Sequence, residues 1–245
     1  MPISDQDALG LFLRRLQLRS ILSEEEEAAI RSLPYREATI EAGRDIVRPG
    51  EKTDHACMVV EGLVSQFDML LDGRRQTVAL YIPGEMCDLQ SVPVPRAGWG
   101  LEASAASKVL FVPHEPLRKL IEDANLALAF WRDTVVDGSI LAKWVSNLGR
   151  KAAPPRVAHL FCEIGIRMEH AGLGTRTEFD FPMTQAQLAD VVGLTSVHLN
   201  RTLKGLAAKG VTFARKTVRI ADWDLLAAMA EFDPAYLLLP PGKEP

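Results

Sequence analysis

The feature that most constrains this chain is a change of hydrophobic period near residue 115. Upstream, over 36–112, short apolar or β-branched runs recur at brief intervals: Cys57–Val60, Gly62–Phe67, Gln76–Ile82 and Lys108–Val112. Turn signals separate them at Arg48-Pro49-Gly50-Glu51, Leu71-Asp72-Gly73-Arg74 and Pro83-Gly84-Glu85. Asp-Gly between two apolar runs favours a hairpin, because both residues tolerate positive φ. Many short strands joined by regular turns predict a barrel or jelly roll. Downstream, from Pro116 to Gly149, apolar or small residues step by three or four: Leu117, Leu120, Ala124, Leu128, Trp131, Val135, Gly138, Ala142 and Val145. That spacing lines one face of a helix of about 33 residues, roughly 50 Å long. A continuous stripe on so long a helix fits a dimer seam. Packing within its own subunit is the other reading.

At 245 residues the chain has room for two domains. Its apolar runs fall short of the roughly 20 residues of a membrane span. The first 22 residues mix Asp5, Asp7, Arg14, Arg15 and Arg19 with leucines. A signal peptide would place an unbroken apolar stretch there. The expectation is a cytoplasmic protein that begins with a short amphipathic helix and has no membrane partner. Cys57, Cys87 and Cys162 are scattered and form no C-x-x-C pair. This argues against a disulfide framework, a zinc site or an iron–sulfur cluster, and suggests three buried thiols. A redox or ligand role for Cys87 beside Glu85 is the minor alternative.

The formal charge of −4 does not by itself suggest a polyanion partner, but its distribution does. Residues 150–220 hold eleven Lys and Arg against five Asp and Glu, so the rest of the chain is strongly acidic. A basic segment in an acidic protein suggests one face for nucleic acid. A solvated helical surface is the plainer reading.

Within that segment, Thr184 to Leu206 reads as two short helices. Thr184 and Gln187 have capping-box spacing. Gly193 supplies a left-handed turn residue, and Thr195 or Ser196 can cap the second helix. Leu188, Val192, Leu194, Leu199, Leu203 and Leu206 can form a shared core, with small Ala189 at the crossing. This is what a helix-turn-helix requires. Ser196, Val197, Asn200 and Arg201 then face outward. Arg201 suits guanine O6 and N7, Asn200 suits adenine, and Val197 suits a thymine methyl. Gln185, Ser196 and Lys204 suit phosphate contacts. Val211–Ile220 reads as a two-stranded wing with Arg215 and Lys216 at its tip.

These residues resemble the CRP/FNR superfamily of bacterial transcription regulators over nearly the whole chain. The resemblance rests on Glu61-Gly62, Asp72-Gly73-Arg74, Pro83-Gly84-Glu85, Gln187-Leu188-Ala189, Gly193 and Asn200-Arg201. It implies an α+β fold: an N-terminal β-roll, or double-stranded jelly roll, over 1–115, a dimerisation helix over 116–150, and a winged helix-turn-helix over 151–245. It also implies a homodimer that reads a near-palindrome in double-stranded DNA, with RNA polymerase as a further partner. Effector contacts would fall near Gly84, Glu85 and Arg96. Cyclic-nucleotide binders of this family continue with small or apolar residues, then Arg-Ser/Thr-Ala. Here Met86-Cys87-Asp88 follows, Arg96 is trailed by Ala97-Gly98, and Asp88 would repel a phosphate. The expectation is therefore no cyclic AMP, no iron–sulfur cluster and an unassigned effector. A small-molecule sensor or protein-contact module that does not read DNA is the rival reading. The chain has none of the common nucleotide-binding, zinc-protease or serine-hydrolase motifs, so no catalytic or metal residue is expected.

Overall fold

The structure is a computed structural model that describes residues 8–239. Helices α1 (Ala8–Gln17) and α2 (Glu24–Arg31) open the chain. In α2, Ser23 and Glu26 form a reciprocal capping box that satisfies two otherwise orphaned N–H groups. Seven strands follow: β1 (Arg36–Ile40), β2 (Asp45–Val47), β3 (His55–Glu61), β4 (Val64–Met69), β5 (Arg75–Tyr81), β6 (Gly100–Ala103) and β7 (Ser107–Pro113). They form two antiparallel sheets, ordered β1-β7-β3 and β2-β6-β4-β5. Between the sheets, Val47, Cys57, Val59, Val64, Tyr81, Cys87, Leu101, Val109 and Phe111 fill the interior of the roll. Alternation along β3 sends Ala56, Met58 and Val60 to the outer face, where they pack on α1. At the β3–β4 turn Gly62 has φ +90°, and an added Cβ would lie 2.5 Å from the Ala106 carbonyl oxygen. Only glycine fits there without displacing backbone.

The single helix expected over 116–149 is in fact two. Helix α3 (His114–Leu120) ends, and α4 (Ala124–Arg150) restarts after Asp123. The Asp123 carboxylate accepts hydrogen bonds from the N–H groups of Asn125 and Leu126, a side-chain cap that begins a new helix. The apolar steps run in phase across the break, which hides it from a periodicity reading. Leu120 accordingly lies on α3 and packs half-buried against the cluster around α1, not on the long helix. The 27 residues of α4 span about 40 Å.

Lys151 and Ala152 separate α4 from α5 (Ala153–Ala171), whose Pro154 and Pro155 occupy the first turn, where missing N–H groups cost nothing. Strands β8 (Gly174–Thr175) and β9 (Glu178–Asp180) follow, then α6 (Gln185–Val191) and α7 (Ser196–Ala207). Strands β10 (Val211–Ala214) and β11 (Thr217–Ile220) complete a sheet ordered β10-β11-β9-β8. Helix α8 (Trp223–Ala230) and a 3-10 turn at Pro234–Leu237 pack back onto α5 and α4. The apolar core of this C-terminal unit runs without a gap into Leu63, Leu80, Ile82 and Ala105 of the roll. The two units therefore meet along a packed interface.

Candidate nucleic-acid interface

The reading segment forms from local signals. Thr184 caps α6, and Gln187 returns the bond to the Thr184 N–H at 2.8 Å. Gly193 closes the turn at φ +60°. The Thr195 hydroxyl caps α7 through the His198 N–H at 3.2 Å. Leu188, Ala189, Leu199, Leu203 and Leu206 are buried between the two helices and α5. That burial turns the opposite face of α7 outward.

Ser196, Val197, Asn200, Arg201 and Lys204 are all exposed on that face. Val197 is 83% exposed, an unusual position for a β-branched apolar side chain among polar neighbours. Gln185 is exposed at the start of α6, and its Oε1 accepts weakly from Asn200 Nδ2 at 3.4 Å. The structure thus gathers the six helix residues expected to contact DNA onto one side. Arg215 and Lys216 form the wing turn, both exposed and both at positive φ, 52° and 63°. Two adjacent non-glycine residues in the left-handed region are strained, which often marks a functional turn. They border a cleft shared with Glu61, Gly62 and Pro83 of the roll and Asp180, so the wing tip faces the roll.

The basic segment is less available than its composition suggests. Arg156 donates from Nη1 to the Val192 carbonyl at 2.8 Å and from Nη2 to those of Lys151 and Leu148, tying the ends of α6 and α4 together. Arg176 pairs with Glu169, Arg219 pairs with Glu178, and Lys151 donates to the Ala230 carbonyl. Arg167 is buried among carboxylates. Arg156, Arg167 and Lys151 thus hold the domain together, whereas Arg176 and Arg219 pair with carboxylates while still meeting solvent.

The long helix has two apolar seams. One, with Leu126, Phe130, Val136, Ile140 and Trp144, is buried against the subunit's own core. The other, with Leu128, Trp131, Val135, Leu141 and Val145, lies in solvent. Trp131 is 66% exposed and Val145 is 63% exposed. Ala124, Gly138 and Ala142 are exposed along the same helix. Leu141 was not among the expected seam residues; its step of three from Gly138 was the available signal.

The residues expected near an effector do not form one site. Glu85 points away from the roll interior and is buried at the junction of α1, β5 and α5. Its oxygens accept from Arg15 Nη1, from Arg167 Nε at 3.1 Å and Nη2 at 2.5 Å, and from the Ile82 N–H at 3.0 Å. Burial pushes its carboxyl up, but Arg15 and Arg167 outweigh that and hold it below the usual carboxylate range. Gly84 is at the same turn, its N–H bonded to the Val59 carbonyl. Arg96 lies elsewhere, at the surface, donating to the Gly50 carbonyl at 2.9 Å. Asp88 is buried and accepts from the Cys57 N–H at 2.6 Å; burial lifts its pKa to about 6. The Arg15–Glu85–Arg167 cluster is invisible to a linear reading, because its members are 70 and 82 positions apart.

Among the described residues no helix is long and apolar enough to cross a membrane. Cys57, Cys87 and Cys162 are buried; burial raises the Cys87 thiol well above its ordinary range and pushes Cys162 to about 12.

Comparison with known proteins agrees with this architecture. Residues 37–124 match the cyclic nucleotide-binding domain family, and residues 155–229 match the Crp-like helix-turn-helix domain. The transcriptional activator protein FnrL of Cereibacter sphaeroides is 26% identical over 76% of this chain and 76% of its own length. The nitrogen fixation regulation protein FixK of Rhizobium meliloti is 27% identical over 74% of this chain and 80% of its own. The solved structure of FixK2 from Bradyrhizobium japonicum superposes with a TM-score of 0.72 at 26% identity, covering 80% of this chain and 98% of that one. With the roll, the long helix and the exposed reading face in place, the chain belongs to the CRP/FNR superfamily and is one of its DNA-binding transcription regulators.

Proposed function

We propose that the protein works in the cytoplasm as a homodimer. It joins two copies through the solvent-facing seam of α4 and reads a near-palindromic duplex with one α7 in each half-site. The observation that carries this reading is the exposed apolar row from Leu128 to Val145 on a helix whose opposite face is already buried. Such a row in water favours self-association. Two-fold symmetry then sets the half-sites about one helical turn apart. In each half-site Arg201 grips guanine, Asn200 faces adenine and Val197 meets a thymine methyl, while Gln185, Ser196 and Lys204 hold phosphates. Arg215 and Lys216 add backbone contacts from the wing. The relatives named as activators favour RNA polymerase as the further partner.

The same proposal holds that reading needs no cyclic nucleotide, no iron–sulfur cluster and no catalytic step. The residues do not fit a cyclic nucleotide. The space between the sheets is filled by Cys57, Val59, Tyr81, Cys87, Leu101 and Phe111. Glu85 is committed to two arginines, and Arg96 is turned outward to Gly50. Selection from random duplex DNA with purified protein and no added effector tests this reading, with sedimentation velocity on the same sample. An enriched near-palindrome and a dimer are expected. A monomer that enriches single half-sites would overturn the homodimer, and enrichment only after adding cyclic AMP would overturn the effector claim.

A further inference from the structure

We infer that Glu85, Arg167 and Arg15 form a positioning lock that fixes the angle of the DNA-reading unit on the roll, so that the protein's own side chains supply the orientation for two-site reading. The inference rests on the homodimer reading for its DNA consequence, but not for its structural part.

The geometry is directional. Arg167 is on α5, the first helix of the reading unit. Its guanidinium grips the Glu85 carboxylate with two bonds, reaches the Leu80 carbonyl at 2.5 Å, and donates to Glu163 on its own helix at 3.1 Å. Arg15 approaches Glu85 from α1 and also pairs with Asp133 at 2.6 Å and Asp137 at 3.0 Å on α4. One carboxylate of the roll is thus bonded to the N-terminal helix and to the reading unit, and through Arg15 to the long helix. Glu85, Asp133 and Arg167 are buried, Arg15 is nearly so, and Asp137 is mostly buried with about a quarter of its side chain exposed. Two further bonds tie the helix-turn-helix itself to the roll. Gln187 Nε2 donates to the Ser104 carbonyl at 2.8 Å, and Gln76 Nε2 donates to the Asp190 carbonyl at 3.2 Å.

The physical case turns on what apolar packing cannot do. The interface through Leu63, Leu80 and Ile82 is adhesive, but hydrophobic contact is non-directional and tolerates sliding. The chain link, Lys151 and Ala152, is braced by Arg156 against the ends of α4 and α6, but none of those bonds reaches the roll. A desolvated guanidinium–carboxylate fork tolerates little displacement, because separating the pair leaves charge buried without a partner. Fixing the angle fixes the separation of two α7 helices in a dimer.

The test uses the full-length chain with Thr39→Cys and Ala207→Cys spin labels, one on β1 and one on α7, both at exposed positions. Electron–electron resonance reads the distance distribution in the parent and in Glu85→Gln and Arg167→Lys variants. The same proteins are titrated with duplexes carrying the selected half-sites at the selected spacing or displaced by two base pairs. The parent is expected to show one narrow distance and at least about tenfold spacing discrimination. Glu85→Gln is expected to broaden the distance and cut discrimination below about threefold, with base preference inside each half-site unchanged. Arg167→Lys, which keeps charge but loses the fork, should fall between. An unchanged narrow distance in Glu85→Gln overturns the lock. So does joint loss of spacing and base preference with a collapsed melting transition, which marks a merely structural role. A monomeric parent that reads single half-sites defeats the dimer reading, and the distance measurement still decides the lock.

Discussion

Arginine is put to opposite uses in two regions of this molecule. On α7, Arg201 stands exposed on a helix whose apolar side is sunk in the core. At the junction of α1, the roll and α5, Arg15 and Arg167 are buried and surrounded by Glu85, Asp133, Asp137 and Glu163. An exposed guanidinium keeps its hydration and can exchange it for a base edge, so its energy appears only when DNA arrives. A buried one has already surrendered its hydration, so its partners must be present in the folded chain. Within one basic segment, burial thus separates Arg167, whose partners are fixed in the folded chain, from Arg201, which remains available in solvent.

The comparison can be broken at several points. The largest effect is expected from Trp131→Glu, which places a charge in the exposed seam of α4. The dimer should dissociate in sedimentation equilibrium, and affinity for a two-half-site duplex should fall by about 10²–10⁴-fold, the gain that linkage supplies. A dimer that survives this change would move the interface elsewhere. Next is Arg167→Met, which leaves Glu163 and Glu85 short of a buried partner. Chemical denaturation should show a loss of about 3–5 kcal/mol, largely insensitive to salt. A loss below about 1 kcal/mol would make the junction no stronger than a surface pair.

Smaller effects sharpen the outward side. Arg201→Ala should leave stability unchanged and cost about 1–3 kcal/mol of discrimination at one base pair, read by competition between site variants. Lys204→Ala should weaken all sequences alike and reduce the salt slope by about one. If the two variants behaved identically, α7 would not be reading bases in the assigned way.

The smallest expected effect concerns pH. Burial, with Asp133 and Glu85 adding to it, lifts the Asp137 carboxyl to about 7 against the pull of Arg15. A group with a raised folded pKa takes up a proton on folding. The stability it contributes is complete below its ordinary value of 3.8 and is lost as pH rises through about 7. Asp137→Asn should therefore raise the melting temperature at pH 8 and change it little at pH 4. An equal shift at both would remove protonation from the explanation.

Much of the reading head was legible because its signals are local. Thr184 with Gln187, Gly193 and Thr195 act within three residues of their partners, so a linear reading identifies the caps, the turn and the outward residues. The break after α3 was less legible. Leu117, Leu120 and Leu128 keep one period across it, and only the Asp123 cap distinguishes two helices from one. The effector assignment failed as a cluster for a different reason. A Gly-Glu pair reads the same whether its carboxylate points into the roll or out of it, and here neighbouring Met86 and Cys87 belong to opposite faces.

By itself, the sequence determined the order of roll, helix and reading head, because hydrophobic period and capping are properties of adjacent residues. It also determined which residues of α7 face solvent, since helical phase follows from the positions of the leucines. The tertiary structure alone decided which charges are spent internally. Arg156 and Arg167 look like part of a face for a polyanion until packing brings carbonyls and carboxylates to them from α6, α4 and the roll. The reason is desolvation: a charge must find a partner only where packing removes water, and which residues lose water depends on contacts between segments far apart in the chain.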